Sequence, residues 1–139
     1  MTTDTTTLLP HALPTCVNAR IALFAMRRMG AHGLADARAA HAFFTAFGQG
    51  FRRPLVLMRV LMAELASTAA GTIAIAPCCC ARMTPAEAAL VSILGRIEMA
   101  PEKARLLTTD LLGVRRVENV LMAAAAVTAA FADEGRPVS

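Results

Sequence analysis

Apolar and polar positions alternate with a helical period over most of the chain. From Asn18 to about Ala31, Ile21, Phe24 and Arg28 share one helical spacing, and Arg20 and Arg27 lie seven apart on another. Asn18 is placed to cap this first helix, and Gly30 and Gly33 to stop it. A second helix is predicted from the cap Asp36 to Gly48, with Ala37, Ala40, Phe44 and Phe47 as a stripe that turns its phenylalanines to the core. Phe43 and Phe51 enlarge the same aromatic cluster. The third helix begins near Arg53, with Pro54 in its first turn, and ends near Ser67. Leu55, Val56, Leu57, Met58, Val60, Leu61, Met62 and Leu65 surround its axis, so it has no broad polar face. Such a helix belongs at the centre of a bundle or against another subunit.

After Gly71 the period changes. Thr72 to Ala76 alternates, with Ile73 and Ile75 on one side, a strand pattern for which the chain offers no partner strand. Two readings stand: the segment is simply extended against the helices, or it pairs with a copy of itself from another subunit. Thr84, Pro85 and Glu87 then spell a capping box with proline at the first helical position. The fourth helix that starts there buries Leu90, Leu94 and Ile97. A fifth, from about Pro101, carries Ala104, Leu107 and Leu111 and stops at Gly113. A sixth, about Val114 to Ala132, sets Val117, Val120, Leu121, Ala124, Thr128 and Phe131 in register before Gly135 and Pro137.

The expected class is therefore all-α: a compact bundle of five to six helices with one short extended segment near residues 72–76. A single helical domain covers 17–139, and residues 1–16, rich in threonine and punctuated by Pro10 and Pro14, form an extended arm with a mobile tip. No internal repeat or domain linker interrupts it.

Composition adds a surplus. Hydrophobic residues make up 56% of the 139 and charged ones 17%, too apolar for disorder and high for a lone solvated unit of this size. The surplus points to burial against a partner, most simply in a homodimer. The longest uncharged stretch, Leu65 to Ala81, is broken by Gly71 and Pro77, so no membrane span is expected. The first residues carry Asp4 and lack the basic start of a secretory signal, and a cytoplasmic location is expected. Net charge is +4, and Lys103 is the one lysine among fourteen basic residues, which favours planar ion pairing over a flexible phosphate-binding face. Without Trp, Tyr, a glycine-rich phosphate loop or a basic run with interleaved aromatics, nucleic acid is not the expected partner.

One stretch is chemically unusual. Cys78, Cys79 and Cys80 stand in succession shortly before a helix N-terminus. On an extended backbone Cys78 and Cys80 point the same way, with Arg82 and the helix dipole favouring their thiolates. That pair suits a soft metal, Zn or Cu(I), with further ligands drawn from Cys16, His11, His32 and His41. The same three thiols are candidates for redox or nucleophilic work. The plainer reading is reduced cysteines packed as small apolar residues, since no second C-x2-C pair accompanies them and no disulfide framework fits. No cofactor is required by this reading.

His32 and Asp36 resemble a base and its orienting carboxylate, but His32 more simply closes the first helix, and no catalytic residue is assigned. His41 is read as a partly buried side chain on the second helix. Arg52, Arg53, Arg59 and Arg82, with Arg27 and Arg28, are candidates for an anion or acidic-partner patch against the plain reading of surface ion pairs. The eight methionines suit an adaptable groove or core filling.

Leu-Pro-His-Ala-Leu-Pro at 9–14, Ala-Met-Arg-Arg-Met-Gly-Ala-His-Gly-Leu at 25–34, Arg-Arg-Pro-Leu-Val-Leu-Met-Arg at 52–59 and Ala-Pro-Cys-Cys-Cys-Ala-Arg-Met-Thr at 76–84 resemble a family of small bacterial proteins known only as a domain of unknown function. The resemblance covers most of the chain. It implies a bacterial cytosolic setting and brings no activity, cofactor or functional residue. The expected function is a non-catalytic interaction or regulatory protein that self-associates; the alternative is a soft-metal or thiol-redox protein built on the cysteines.

Overall fold

The computed structural model describes residues 9–139, so the tip of the expected arm lies outside the described residues. Among the described residues six α-helices follow in order: α1 Val17–His32, α2 Ala37–Phe47, α3 Arg52–Thr68, α4 Pro85–Arg96, α5 Pro101–Leu112 and α6 Glu118–Asp133. A single 3-10 turn, Gly48–Gly50, joins α2 to α3. The all-helical class is therefore as expected. α3 packs along α6 and α4 along α5, while α1 touches α2, α3 and α4. Met26, Phe43, Met58, Leu61, Ile93, Leu112, Val127 and Phe131 are fully buried between them. Phe43, Phe47 and Phe131 meet edge to face at centroid distances of 4.9 to 5.7 Å, an arrangement that aligns ring edges with ring faces.

Two boundaries and one buried face differ from the pattern, each for a local reason. α1 starts at Val17 with Cys16 as its cap and no side-chain cap bond. Asn18 instead sits in the first turn, where its Nδ2 donates to the Pro137 carbonyl at 2.9 Å and its Oδ1 accepts from Arg136 Nη1 at 3.1 Å, tying down the C-terminal tail. In α2 the buried line is Ala39 and Phe43, continued by half-buried Phe47, and Phe44 is 48% exposed against Phe51. The i, i+4 spacing of 39, 43 and 47 aims at Phe131, which displaces the expected stripe by one position. α6 begins at Glu118 because Val114 to Val117 form the link from α5, with Val117 buried as its cap position.

α3 is two-faced rather than enclosed. Pro54, Leu55, Met58, Leu61 and Leu65 are buried, whereas Val56 and Val60, one turn apart, are 52% and 42% exposed. In α5 the inward positions are Ala104, Thr108 and Leu112, and the Thr108 hydroxyl donates to the Ala104 carbonyl at 2.7 Å, so its burial leaves no orphan.

Among the described residues the one ladder is β1, His11–Ala12, antiparallel to β2, Arg82–Met83. The arm is thus pinned at 9–12: Arg82 also donates to the carbonyls of Leu9 at 2.8 Å and Pro10 at 2.7 Å. The alternating segment 72–76 joins no ladder.

Candidate functional site

The segment from Thr72 to Pro77, called the strap below, crosses from the end of α3 towards β2 without helix, turn or ladder. Its side chains alternate: Ile73 and Ile75 pack on the main core, and Thr72 and Ala74 are exposed. In an extended backbone the N–H and C=O of one residue face one edge and those of the next face the other. The even edge is anchored. The Ala74 carbonyl accepts from Thr84 Oγ1 at 2.7 Å, and the Ala76 N–H donates to Glu87 Oε2 at 3.2 Å.

Those two anchors are the capping box of α4. Thr84 Oγ1 accepts from the Glu87 N–H at 3.0 Å, and Glu87 Oε1 accepts from the Thr84 N–H at 2.9 Å. The same carboxylate takes Arg27 of α1 in a two-point ion pair, Nε to Oε2 at 2.8 Å and Nη2 to Oε1 at 3.1 Å. Arg27 then reaches the carbonyls of Cys80 at 2.8 Å and Arg82 at 2.7 Å. The two side chains are 3% and 0% exposed, and each carboxylate oxygen has two donors. No buried side-chain polar atom among the described residues lacks a partner, the condition under which a buried ion pair is tolerated. One glutamate therefore caps α4, pairs with α1 and holds the strap.

Beside the strap lies an open cleft of about 930 Å³, bordered by the ends of α1 and α3 and by Leu90 of α4. Its walls are largely apolar, with Met62, Leu65, Ile73, Ile75 and Leu90 among them. Arg28 also lines it and makes a second two-point pair, Nε to Asp36 Oδ2 at 3.0 Å and Nη2 to Oδ1 at 2.9 Å. Asp36 caps α2 as expected, accepting from the Ala39 N–H at 3.0 Å. The Arg28 guanidinium, followed by the cap bond, pulls the Asp36 carboxyl from 3.8 down to about 2, and Arg28 is correspondingly raised.

The cysteines do not lie as expected. The Cys80 N–H donates to the Pro77 carbonyl at 3.1 Å, so 77–80 is a turn instead of an extended pair of ligands. Cys78 and Cys79 are exposed and Cys80 is partly covered. Arg82, expected to favour their thiolates, is turned to Leu9 and Pro10, and the guanidinium nearest to Cys78 Sγ is that of Arg28, whose Nη1 is 4.0 Å away. Cys16 stands at the start of α1 with its thiol 3.9 Å from the Pro137 carbonyl. Burial pushes that thiol up, but hydrogen bonds with Ser139 and the backbone outweigh it, leaving Cys16 below its ordinary value.

His32 is exposed at the end of α1, where the closing bond is the Gly33 N–H to the Met29 carbonyl at 2.8 Å and not one from the histidine. His41 is exposed on α2, contrary to the partly buried position expected, and His11 lies on β1. Among the described residues no three or more His, Cys, Asp or Glu side chains are grouped to hold a metal. The arginines of the expected patch face separate partners: Arg53 meets Asp133 at 2.6 Å, Arg59 the Leu34 carbonyl at 2.8 Å and Arg82 the arm, and Arg52 is exposed. No helix among the described residues is long and apolar enough to cross a membrane.

The pair that organises the site, Arg27 and Glu87, was legible only in halves. Glu87 was visible as a capping residue, and Arg27 shares a helical face with Leu23, four positions before it, which is the one signal that its side chain turns inward.

In comparison with known proteins, residues 1–111 match the model of a family of unknown function (DUF6628). No curated protein and no solved structure matches the chain.

Proposed function

The chain belongs to this family of unknown function, which assigns no activity, and from the geometry we propose a non-catalytic interaction protein that receives an extended polypeptide segment along the strap. One observation carries the reading. While Ala74 and Ala76 are bonded to the α4 cap, Ile73 and Ile75 have no backbone hydrogen-bond partner among the described residues, so the odd edge is open. An unpaired edge is a template for an added strand, and apolar walls next to it receive alternate side chains of that strand. The cleft supplies such walls.

The test is amide exchange, residue by residue, with extended apolar peptides added and with the protein concentrated alone. The reading expects protection to rise at Ile73 and Ile75 while the amide of Ala76, already bonded, changes little. Unchanged exchange at both isoleucines in every case removes it.

A thiol reading keeps one supporting contact, Arg28 Nη1 beside exposed Cys78. Elemental analysis of anaerobically purified protein with a thiol titration decides it: thiols no faster than free cysteine, with no Zn or Cu, would end that reading.

A further inference from the structure

We infer that the segment received by the strap is the strap of a second copy of this chain, running antiparallel about a two-fold axis at Ala74. This inference rests on the interaction reading above and names its partner.

The open edge offers four groups, the N–H and C=O of Ile73 and of Ile75. An antiparallel copy centred on Ala74 places Ile73 opposite Ile75 of the partner and the reverse. These are hydrogen-bonded pairs, in which each residue both donates to and accepts from its opposite, so all four groups are satisfied on both copies. A register centred on Ile75 sets Ile73 opposite Pro77, which has no N–H, and one centred on Ile73 sets Ile75 opposite Gly71, a poor strand residue, so the Ala74 axis is the favoured one. Ala74 then faces itself across the axis in a non-hydrogen-bonded pair, where backbones approach most closely and a small side chain fits best. Thr72-Ile73-Ala74-Ile75-Ala76 thus reads nearly the same in pattern from either end, with Ile at both positions flanking the axis.

Charge points to the same occupant. In a chain of net charge +4, two copies meet with the least added repulsion where neither presents a charge, and Leu65 to Ala81 contains no charged residue. Solitary edge strands are commonly blunted by lysine, proline or a bulge. Residues 72–76 have neither a charge nor a proline, and the first proline, Pro77, falls just beyond them. Gly71, Thr72 and Ala74 are exposed, so the outward face of the strap is uncovered by the rest of the chain.

The experiment is sedimentation equilibrium of the full chain and of Ala74→Glu, followed by a mixed isotope-labelled sample of the unaltered chain. Ala74 is exposed, so a glutamate there leaves the single chain folded, as circular dichroism checks, but sets two carboxylates face to face on the axis. The inference expects a dimer whose dissociation constant rises by about tenfold or more in Ala74→Glu. It also expects an intermolecular α-proton contact between Ala74 and its symmetry mate. As a second variant, Ala74→Cys with the four native cysteines changed to serine should cross-link to a dimer on mild oxidation.

A dimer indifferent to Ala74→Glu and lacking that contact overturns the inference and moves the interface elsewhere, for instance to the open face of α3 at Val56 and Val60. A monomer whose Ile73 and Ile75 amides are protected by an added peptide also overturns it, while leaving the interaction reading standing. A monomer that takes up no peptide overturns both.

Discussion

Arg27 and Arg28 are neighbours on α1, and each grips a carboxylate at two points, yet the two pairs do different work. The Arg27–Glu87 pair is sealed at 3% and 0% exposure and joins residues sixty apart; the Arg28–Asp36 pair lies at the rim and spans eight. One step along a helix turns a side chain by about 100°. That rotation carries Arg27 beneath the 80–84 loop and Arg28 towards the α1–α2 turn. A buried pair gains little over an apolar replacement, but losing one member strands a charge without solvent. The deep pair is therefore the keystone of the strap, and the rim pair tunes a helix end.

Breaking the deep pair gives the largest effect. Glu87→Ala leaves the Arg27 charge buried and frees the Ala76 and Thr84 N–H groups at once, and a loss of about 3–5 kcal/mol is expected. Urea unfolding followed by circular dichroism measures it. A loss near that of an exposed pair, under about 1 kcal/mol, would show that the loop opens to water around Arg27.

Removing both partners sharpens the comparison. If Glu87 served only to neutralise Arg27, then Arg27→Met with Glu87→Leu would restore most of the stability. The strap bonds predict otherwise. The Ala76 N–H and the Cys80 and Arg82 carbonyls lose their partners in the double variant, so it should stay below the parent by about 1–3 kcal/mol while standing above Glu87→Ala alone. Thr84→Ala is next, at about 1–2 kcal/mol, since it removes the α4 cap and orphans the Ala74 carbonyl. Thr84→Ser, keeping the hydroxyl, should recover most of that.

The contrast also explains what could be read in advance. Local signals were faithful: Asp36 and the Thr84-Pro85-Glu87 box sit where their spacing put them, because caps depend on residues three apart. The alternation of 72–76 put Ile73 and Ile75 on one side, and that side packs against the core. Hidden from the pattern were contacts between distant segments. The bond between Arg27 and Glu87, the ladder of 11–12 on 82–83, and the seat of Asn18 under the C-terminal tail are set by packing of whole helices. The cysteine turn is a local exception: three identical residues carry no pattern to read, and the Cys80 N–H closes on the Pro77 carbonyl. Phe44 was placed inward because its stripe and that of Phe43 differ by one residue, and only the position of Phe131 chooses between them.

The rim pair gives the smallest effect and one that pH isolates. The Asp36 carboxyl is held at about 2 in the folded chain, against an ordinary 3.8, first by Arg28 and then by the Ala39 N–H. A depressed folded value means that the unfolded chain binds the proton more readily, so the ionised carboxylate favours the fold above about pH 4. Its contribution fades as the pH falls from there through about 2. Glu118, also lowered, by its own backbone N–H and by Arg105, acts in the same direction, so the parent curve alone cannot assign the slope. The difference between the parent and Asp36→Asn removes that background. Above pH 4 the variant should be the less stable of the two by a nearly constant margin. That margin should shrink steadily as the pH approaches 2. A margin independent of pH would mean that Asp36 works as an uncharged cap for α2 and that Arg28 adds nothing to it.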